Sequence, residues 1–442
     1  MTDSDAAGLI VAAPASGSGK TVFTLGLLRH LARSGIAVAS AKAGPDFIDP
    51  AFHTAASGCA CLNLDPWAMA PVSIAAAVAR LAGGADIIVC EGVMGLFDGV
   101  TASAGSTADL AVRTGWPVVL IIDARAQAAS AAAVLRGFAT HRADVTVAAV
   151  VFNRVGSENH AAIIGEACAE HVPDVPVLGC LPRRDDLILP ERHLGLVQAG
   201  EHPDLEAFLE RAAAHVGGHV DTEALRNLAR PWPGAVGKVA PLPPLGQRIA
   251  VADDQAFAFR YPLTIDGWRA AGAEILPFSP LADEGPDAGA DAVYLPGGYP
   301  ELHAGRLSAN RGFLDGVRAA AERGAVVFGE CGGYMVLGQR LIDGDGERHA
   351  MAGLLALETS FAKRQLHLGY RRATVDGDCC LGAAGTVLRG HEFHYATIAA
   401  EGPGTPLFRC TDAKGRDRGT AGLRAGTVMG SFVHLIDRED HE

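Results

Sequence analysis

Aromatic side chains supply only 6% of the 442 residues, and lysine plus arginine number 37 against 50 acids, a net charge of −13. With so little positive charge, nothing favours a polyanion such as DNA as partner, and an anionic ligand must be held by a local site. No charge-free apolar run reaches membrane-spanning length, which leaves no place for a membrane. The opening MTDSDAAGLIVAAP carries acids where a signal peptide needs lysine or arginine, so the cytoplasm is the expected compartment. The nine cysteines, at 59, 61, 90, 168, 180, 331, 379, 380 and 410, repeat no pair spacing, which argues against a disulfide framework. Cys59-Ala-Cys61 has no matching second pair, and Cys379 and Cys380 are neighbours, so a structural zinc site is not expected either. What is present is 49% hydrophobic and 20% charged residues, the balance of a folded globular protein. At roughly 100 to 200 residues per domain, the length gives two or three domains.

From Leu9 to about Arg230 short apolar runs alternate with helical patterns, the signature of an α/β fold with a parallel sheet covered on both faces. Strands are predicted at Leu9–Ala13, Ile36–Lys42, Asp86–Cys90, Val118–Asp123, Val145–Phe152 and Val177–Cys180. Between the first two, Phe23, Leu27, Leu28 and Leu31 form one apolar stripe that Gly35 ends, so this segment is a helix. The first domain is set at residues 1–230. Proline and glycine concentrate in 231–246, which reads as a linker, and a second α/β domain follows over 247–442. In it Gln247–Ala252, Ala292–Leu295 and Ala325–Phe328 are expected as strands, Leu307–Arg323 as a helix, and Thr427–Val433 as the last strand.

The segment from Pro14 to Thr21, PASGSGKT, follows the first strand and opens the first helix. Phosphates would rest there on backbone N–H groups at the positive end of the helix, held by Ser16, Gly17, Ser18, Gly19, Lys20 and Thr21. Lys20 would meet the outer phosphates and Thr21 could ligate Mg2+; Pro14 stands where the usual pattern has its leading glycine. ATP is the expected nucleotide. Two acidic segments leave the carboxyl ends of the next strands: Lys42-Ala-Gly-Pro-Asp46-Phe-Ile-Asp49-Pro and Glu91-Gly-Val-Met-Gly-Leu-Phe-Asp98. Ligands of open α/β sheets bind at that edge. Lys42 is therefore assigned to the nucleotide, Asp46 and Glu91 to the metal, and Asp49 and Asp98 to the substrate.

In the second domain Gly329-Glu-Cys331-Gly-Gly333 stands between a buried strand and an apolar helix. A nucleophile flanked by glycines in that context matches the strained elbow that exposes a side chain and aims the next backbone N–H, here Gly332, at an oxyanion. Cys331 is the expected nucleophile. A thiolate of this kind needs a histidine, and His434 at the end of the last strand is the candidate base. His391 and His394, in Gly390-His-Glu-Phe-His-Tyr395, form a second polar cluster, assigned to substrate.

Taken together, these motifs resemble the corrin amidotransferase family, and within it the branch that forms the a,c-diamide of cobyrinic or hydrogenobyrinic acid. The resemblance spans nearly the whole chain. Its first half is similar to dethiobiotin-synthetase-type P-loop domains through residues 13–21, 42–50 and 91–98. Its second is similar to triad-type class I glutaminases through Leu295-Pro-Gly-Gly-Tyr-Pro-Glu301, residues 329–334 and residues 390–395. The resemblance implies that Cys331 attacks glutamine with His434 moving the proton and the N–H groups of Gly298 and Gly332 as oxyanion donors. It implies that ammonia then amidates a corrinoid carboxylate activated by ATP with Mg2+, and it allows a homodimer. Class I glutaminases place a glutamate two residues after the histidine; here that position is Ile436, a departure shared by the corrin branch, and Asp437 is a speculative substitute. Two other readings stay open: a cobyric acid synthase that amidates other side chains, and a P-loop ATPase switch with a degenerate second domain.

Overall fold

The computed structural model describes residues 6–192, 195–234 and 242–439. The chain divides into two compact units, 1–67 with 74–238 and 68–73 with 239–442. The division thus falls inside the expected linker, of which residues 235–241 lie outside the described residues. The short segment 68–73 groups with the second unit although the sequence places it in the first domain.

The first unit is built on strands β1 (Ala7–Ala12), β2 (Val38–Ala43), β3 (Leu62–Leu64), β4 (Ile87–Glu91), β5 (Val118–Asp123), β6 (Val147–Val155) and β7 (Val177–Pro182). Their order across the sheet is β3-β2-β4-β1-β5-β6-β7, all parallel. Strands buried on both faces read as apolar runs, which is why six of the seven are legible in sequence. The three-residue β3 is too short to announce itself. Arg230–Pro231, expected at the domain end and linker start, pairs antiparallel with β1. Helix α1 (Lys20–Arg33) follows the first loop and buries Phe23, Leu27, Leu28 and Leu31, the expected stripe. Each such side chain taken fully out of water contributes about 1.5–3 kcal/mol. Because β1 is central and the chain winds outward to either side of it, the carboxyl ends of β1, β2 and β4 deliver residues 14–21, 44–49 and 92–98 to one edge.

The second unit has a ten-stranded mixed sheet. Glu274–Phe278, Arg248–Ala252, Ala292–Leu295, Val326–Glu330 and Val428–Ser431 run parallel. An antiparallel extension continues through Asp417–Ala425, Thr405–Asp412, His367–Val375, Val387–His394 and Val433–Arg438. The expected final strand is in fact two, broken at Phe432, and the expected helix Leu307–Arg323 is two, Ala304–Ala309 and Arg311–Glu322, broken at Asn310. The Asn310 amide donates to the carbonyls of Pro280 and Leu281, which holds that residue out of the helix. All nine cysteines are free thiols, and no helix among the described residues is long and apolar enough to cross a membrane.

Candidate functional site

The loop after β1 needs two left-handed residues, Gly17 at φ 79° and Gly19 at φ 93°. A Cβ on Gly19 would also lie 2.1 Å from the Asn153 amide nitrogen. Asn153 and Arg154, at the end of β6, brace the loop from below: Asn153 donates to the Ser18 carbonyl at 2.9 Å and Arg154 to the Gly17 carbonyl at 2.8 Å. Arg154 is itself anchored by Asp123 at 2.5 Å. The loop is therefore preshaped, with its backbone turned toward the start of α1. Lys20 donates to the Met94 carbonyl at 3.0 Å, and burial lowers its pKa against the pull of Glu91. A cleft of about 370 Å³ opens beside the loop, lined by Pro14, Ser16, Gly17, Asp123, Arg125 and Gln127.

The acids behind the loop form a closed network. Glu91 accepts from the Thr21 hydroxyl at 2.7 Å, from Lys42 at 2.9 Å and from His53 at 2.6 Å. Lys42 spends its other protons on Asp49 at 2.5 Å and on the Gly92 carbonyl at 3.3 Å. Burial would neutralise Glu91, but Lys42 and His53 hold it well below the usual carboxylate range. Burial would likewise strip Lys42, but Asp49 and Glu91 keep it charged. His53 is pushed up to about 10, because Cys61 and Glu91 outweigh its burial. Asp49 goes up to about 6 through burial and the charge of Asp46. Lys42 and Asp49, assigned above to nucleotide and substrate, are thus committed to each other inside the fold. Asp46 accepts from the N–H groups of Ile48 and Asp49 through one oxygen, in the turn that leads into α2 (Asp49–Ser57), and its other oxygen makes no hydrogen bond among the described residues. Asp98 is exposed and accepts from the Gly95 N–H at 3.0 Å, closing its own loop.

In the second unit Cys331 sits at φ 46°, ψ −101°, a strained position between Val326–Glu330 and the helix Gly332–Leu337. The glycines around it are steric necessities. A Cβ on Gly333 would lie 1.9 Å from the Leu295 carbonyl oxygen, and one on Gly332 would lie 3.0 Å from the Gly298 nitrogen. Gly298 and Gly332, the two expected oxyanion donors, are therefore close neighbours at the elbow. The Cys331 N–H is tied to the Ser431 carbonyl at 2.8 Å. Three residues on, His434 is 1% exposed, with its ring against Gly297: a Cβ there would be 2.3 Å from Cε1. The break at Phe432 makes this possible, since Ser431 pairs beside Glu330 while His434 pairs opposite His391. Burial pulls the His434 imidazole down to about 3 and pushes the Cys331 thiol well above its ordinary range, so both are neutral at rest.

His391 is likewise held neutral, its pKa lowered by burial to about 4. His394 is fixed by the Ala396 carbonyl at 3.0 Å and Glu392 at 2.9 Å, and it stacks on Phe432. Both therefore belong to the surroundings of His434. Asp437 accepts from the Ala70 N–H through one oxygen and from the Arg438 N–H through the other, both at 2.8 Å.

Residues 9–197 match the CobQ/CobB/MinD/ParA nucleotide binding domain, and residues 248–441 the CobB/CobQ-like glutamine amidotransferase domain. The hydrogenobyrinate a,c-diamide synthase of a Sinorhizobium species is 55% identical over 97% of this chain and 98% of its own length. That of Brucella anthropi is 56% identical over the same shares, and that of Mesorhizobium japonicum 52%. The chain belongs to the hydrogenobyrinate a,c-diamide synthase family.

Within that family frame, sequence reading missed Asn153 and Arg154, which hold the carbonyls of the phosphate loop, Asp123, which anchors Arg154, and His53, which backs Glu91. Asn153-Arg154 at the end of a predicted strand was the available signal, since that edge is where ligands bind. The glutaminase half yields a direct prediction. Gly297→Ala forces the His434 ring aside and should lower glutamine hydrolysis by about 100-fold or more, the usual worth of a positioned general base. Glutamate release, measured against amide formation from ammonium, checks it; equal rates for variant and wild type would remove His434 from the reaction.

Proposed function

We propose that the protein uses ATP and glutamine to convert the a and c side-chain carboxylates of hydrogenobyrinic acid into amides, in the cytoplasm. The observation that carries this reading is the pairing of a braced phosphate loop with a cysteine elbow in one chain, more than half identical to synthases of that name along nearly its full length. The names of those relatives favour the cobalt-free corrinoid over the cobalt-containing one.

Glutamine enters at the elbow and Cys331 Sγ attacks its side-chain amide carbon while the thiol proton passes to His434. The N–H groups of Gly298 and Gly332 receive the oxyanion. His434 returns the proton to the departing nitrogen, ammonia leaves, and water cleaves the thioester to glutamate. At the nucleotide loop the substrate carboxylate takes the γ-phosphoryl group, since a free carboxylate is a poor electrophile and an acyl phosphate a good one. Ammonia then displaces phosphate. Each amide consumes one ATP and one glutamine.

Lys20 and the N–H groups of 16–21 neutralise the triphosphate. The oxygen donors of Thr21, Asp46 and Glu91 suit magnesium, a hard cation that binds oxygen and keeps its waters. Thr21 and Asp46 would hold it, with Glu91 behind Thr21, and the ion would screen the charge of phosphate and substrate carboxylates. We place the substrate side chain in the cleft carrying Arg125, a 63% exposed cation beside the loop.

Incubation with hydrogenobyrinic acid and, separately, cobyrinic acid, each with ATP, magnesium and glutamine, tests the reading by mass spectrometry. Conversion of two carboxyls to amides on the cobalt-free ring is expected. Amidation elsewhere on the ring, or ATP turnover without amide, overturns it.

A further inference from the structure

Two residues after the histidine, where a carboxylate would stand, this chain has Ile436, buried and apolar, and the next residue, Asp437, accepts from the backbone N–H groups of Ala70 and Arg438. A carboxylate does reach His434 from another direction. Glu330, immediately before the nucleophile and 3% exposed, has Oε2 at 3.9 Å from His434 Nδ1. The same oxygen accepts from the Tyr294 hydroxyl at 2.6 Å, and Oε1 accepts from the Leu435 N–H at 3.0 Å. It is therefore held from its own strand, from Ala292–Leu295 and from Val433–Arg438, and it grips the histidine's strand at the very next residue.

We infer that Glu330 is the positioning carboxylate of the glutaminase centre, taking the orienting part from the residue before the nucleophile. The inference rests on the reading that Cys331 and His434 hydrolyse glutamine. At 3.9 Å the contact is one of charge and not a hydrogen bond, so its value rises when the imidazole becomes charged. Such a moment occurs when the Cys331 proton moves to His434 Nε2. Glu330 then faces an imidazolium at Nδ1, orients it and stabilises it, and it gives up no proton itself. The two bonds from Tyr294 and Leu435 keep the carboxylate from swinging away.

The acid must be ionised to do this, and burial pushes Glu330 up to about 7, with Tyr294 and Leu435 working against the rise. The titratable groups facing Glu330 are Tyr294, His434 and Cys331. Those facing His434 from the neighbouring strand are His391 and His394, which add to the effect of burial in holding it neutral, and Glu392, whose charge works against them. Glutamine hydrolysis should therefore rise with pH along a limb that belongs to Glu330.

The test measures kcat and KM for glutamine against pH in the full-length enzyme, with ammonium-dependent synthesis as the reference for active protein and Cys331→Ser as the blank. Glu330→Gln should lower kcat about 100-fold, leave KM within about threefold, and erase the limb. Tyr294→Phe keeps the carboxylate but removes a donor that favours its charged form, so its limb should move to higher pH. The inference is overturned if Glu330→Gln keeps kcat within about threefold or retains the limb, or if Tyr294→Phe leaves the limb in place. A Cys331→Ser enzyme that still hydrolyses glutamine overturns the underlying reading instead.

Discussion

Cys331→Ser abolishes amide formation from glutamine and leaves formation from ammonium salts at the wild-type rate. In the proposed reaction the thiol serves only to release ammonia, and the serine hydroxyl, a far weaker nucleophile, would occupy the same strained turn. Loss of a nucleophile that acts as a unit with its base costs on the order of 10⁴-fold or more in kcat. The substitution is nearly isosteric, so the elbow, whose glycines leave no room for adjustment, keeps its shape. Measuring product from glutamine and from ammonium in the same preparation separates the outcomes. Failure of ammonium to support synthesis would mean that the two half-reactions are not divided between Cys331 and the phosphate loop.

That division was legible in sequence because each half announces itself locally. Gly17, Gly19, Lys20 and Thr21 are spaced by the turn they make, and Gly329, Cys331, Gly332 and Gly333 by the elbow they make. Parallel strands buried on both faces gave continuous apolar runs, so the sheet was legible too. Partnerships across the sheet were not. Nothing near Lys42 in sequence says that Glu91, 49 residues on, will take its charge, or that His53 will close the other side. Likewise Glu330 and His434 are more than a hundred residues apart, and only the break at Phe432 returns the chain to the elbow. Local spacing encodes turns and caps, whereas ion-pair partners are set by strand order, which a single sequence does not print.

The two buried lysines of the nucleotide half look alike as residue types, yet their removal should fail the enzyme in different ways. Lys20 stands at the mouth of the phosphate loop and makes one hydrogen bond to a backbone carbonyl. Lys20→Ala should therefore fold normally and lose amide formation from both nitrogen sources by about 10³-fold or more, as when a group stabilising phosphoryl-transfer charge is removed. Lys42 is the cation between Asp49 and Glu91, all three buried. Lys42→Ala leaves two carboxylates without their partner, and breaking a buried pair from one side costs about 3–5 kcal/mol. In a unit of this size that lowers Tm by roughly 6–20 °C. The measurements are thermal unfolding and ATP affinity for each variant. A stable Lys42→Ala protein that has lost only its nucleotide would return this lysine to the phosphate-binding part that its place in the sequence suggests. Unfolding with Lys20 in place is the result the geometry requires, because the charge holding these three segments together sits at Lys42 and not at the loop.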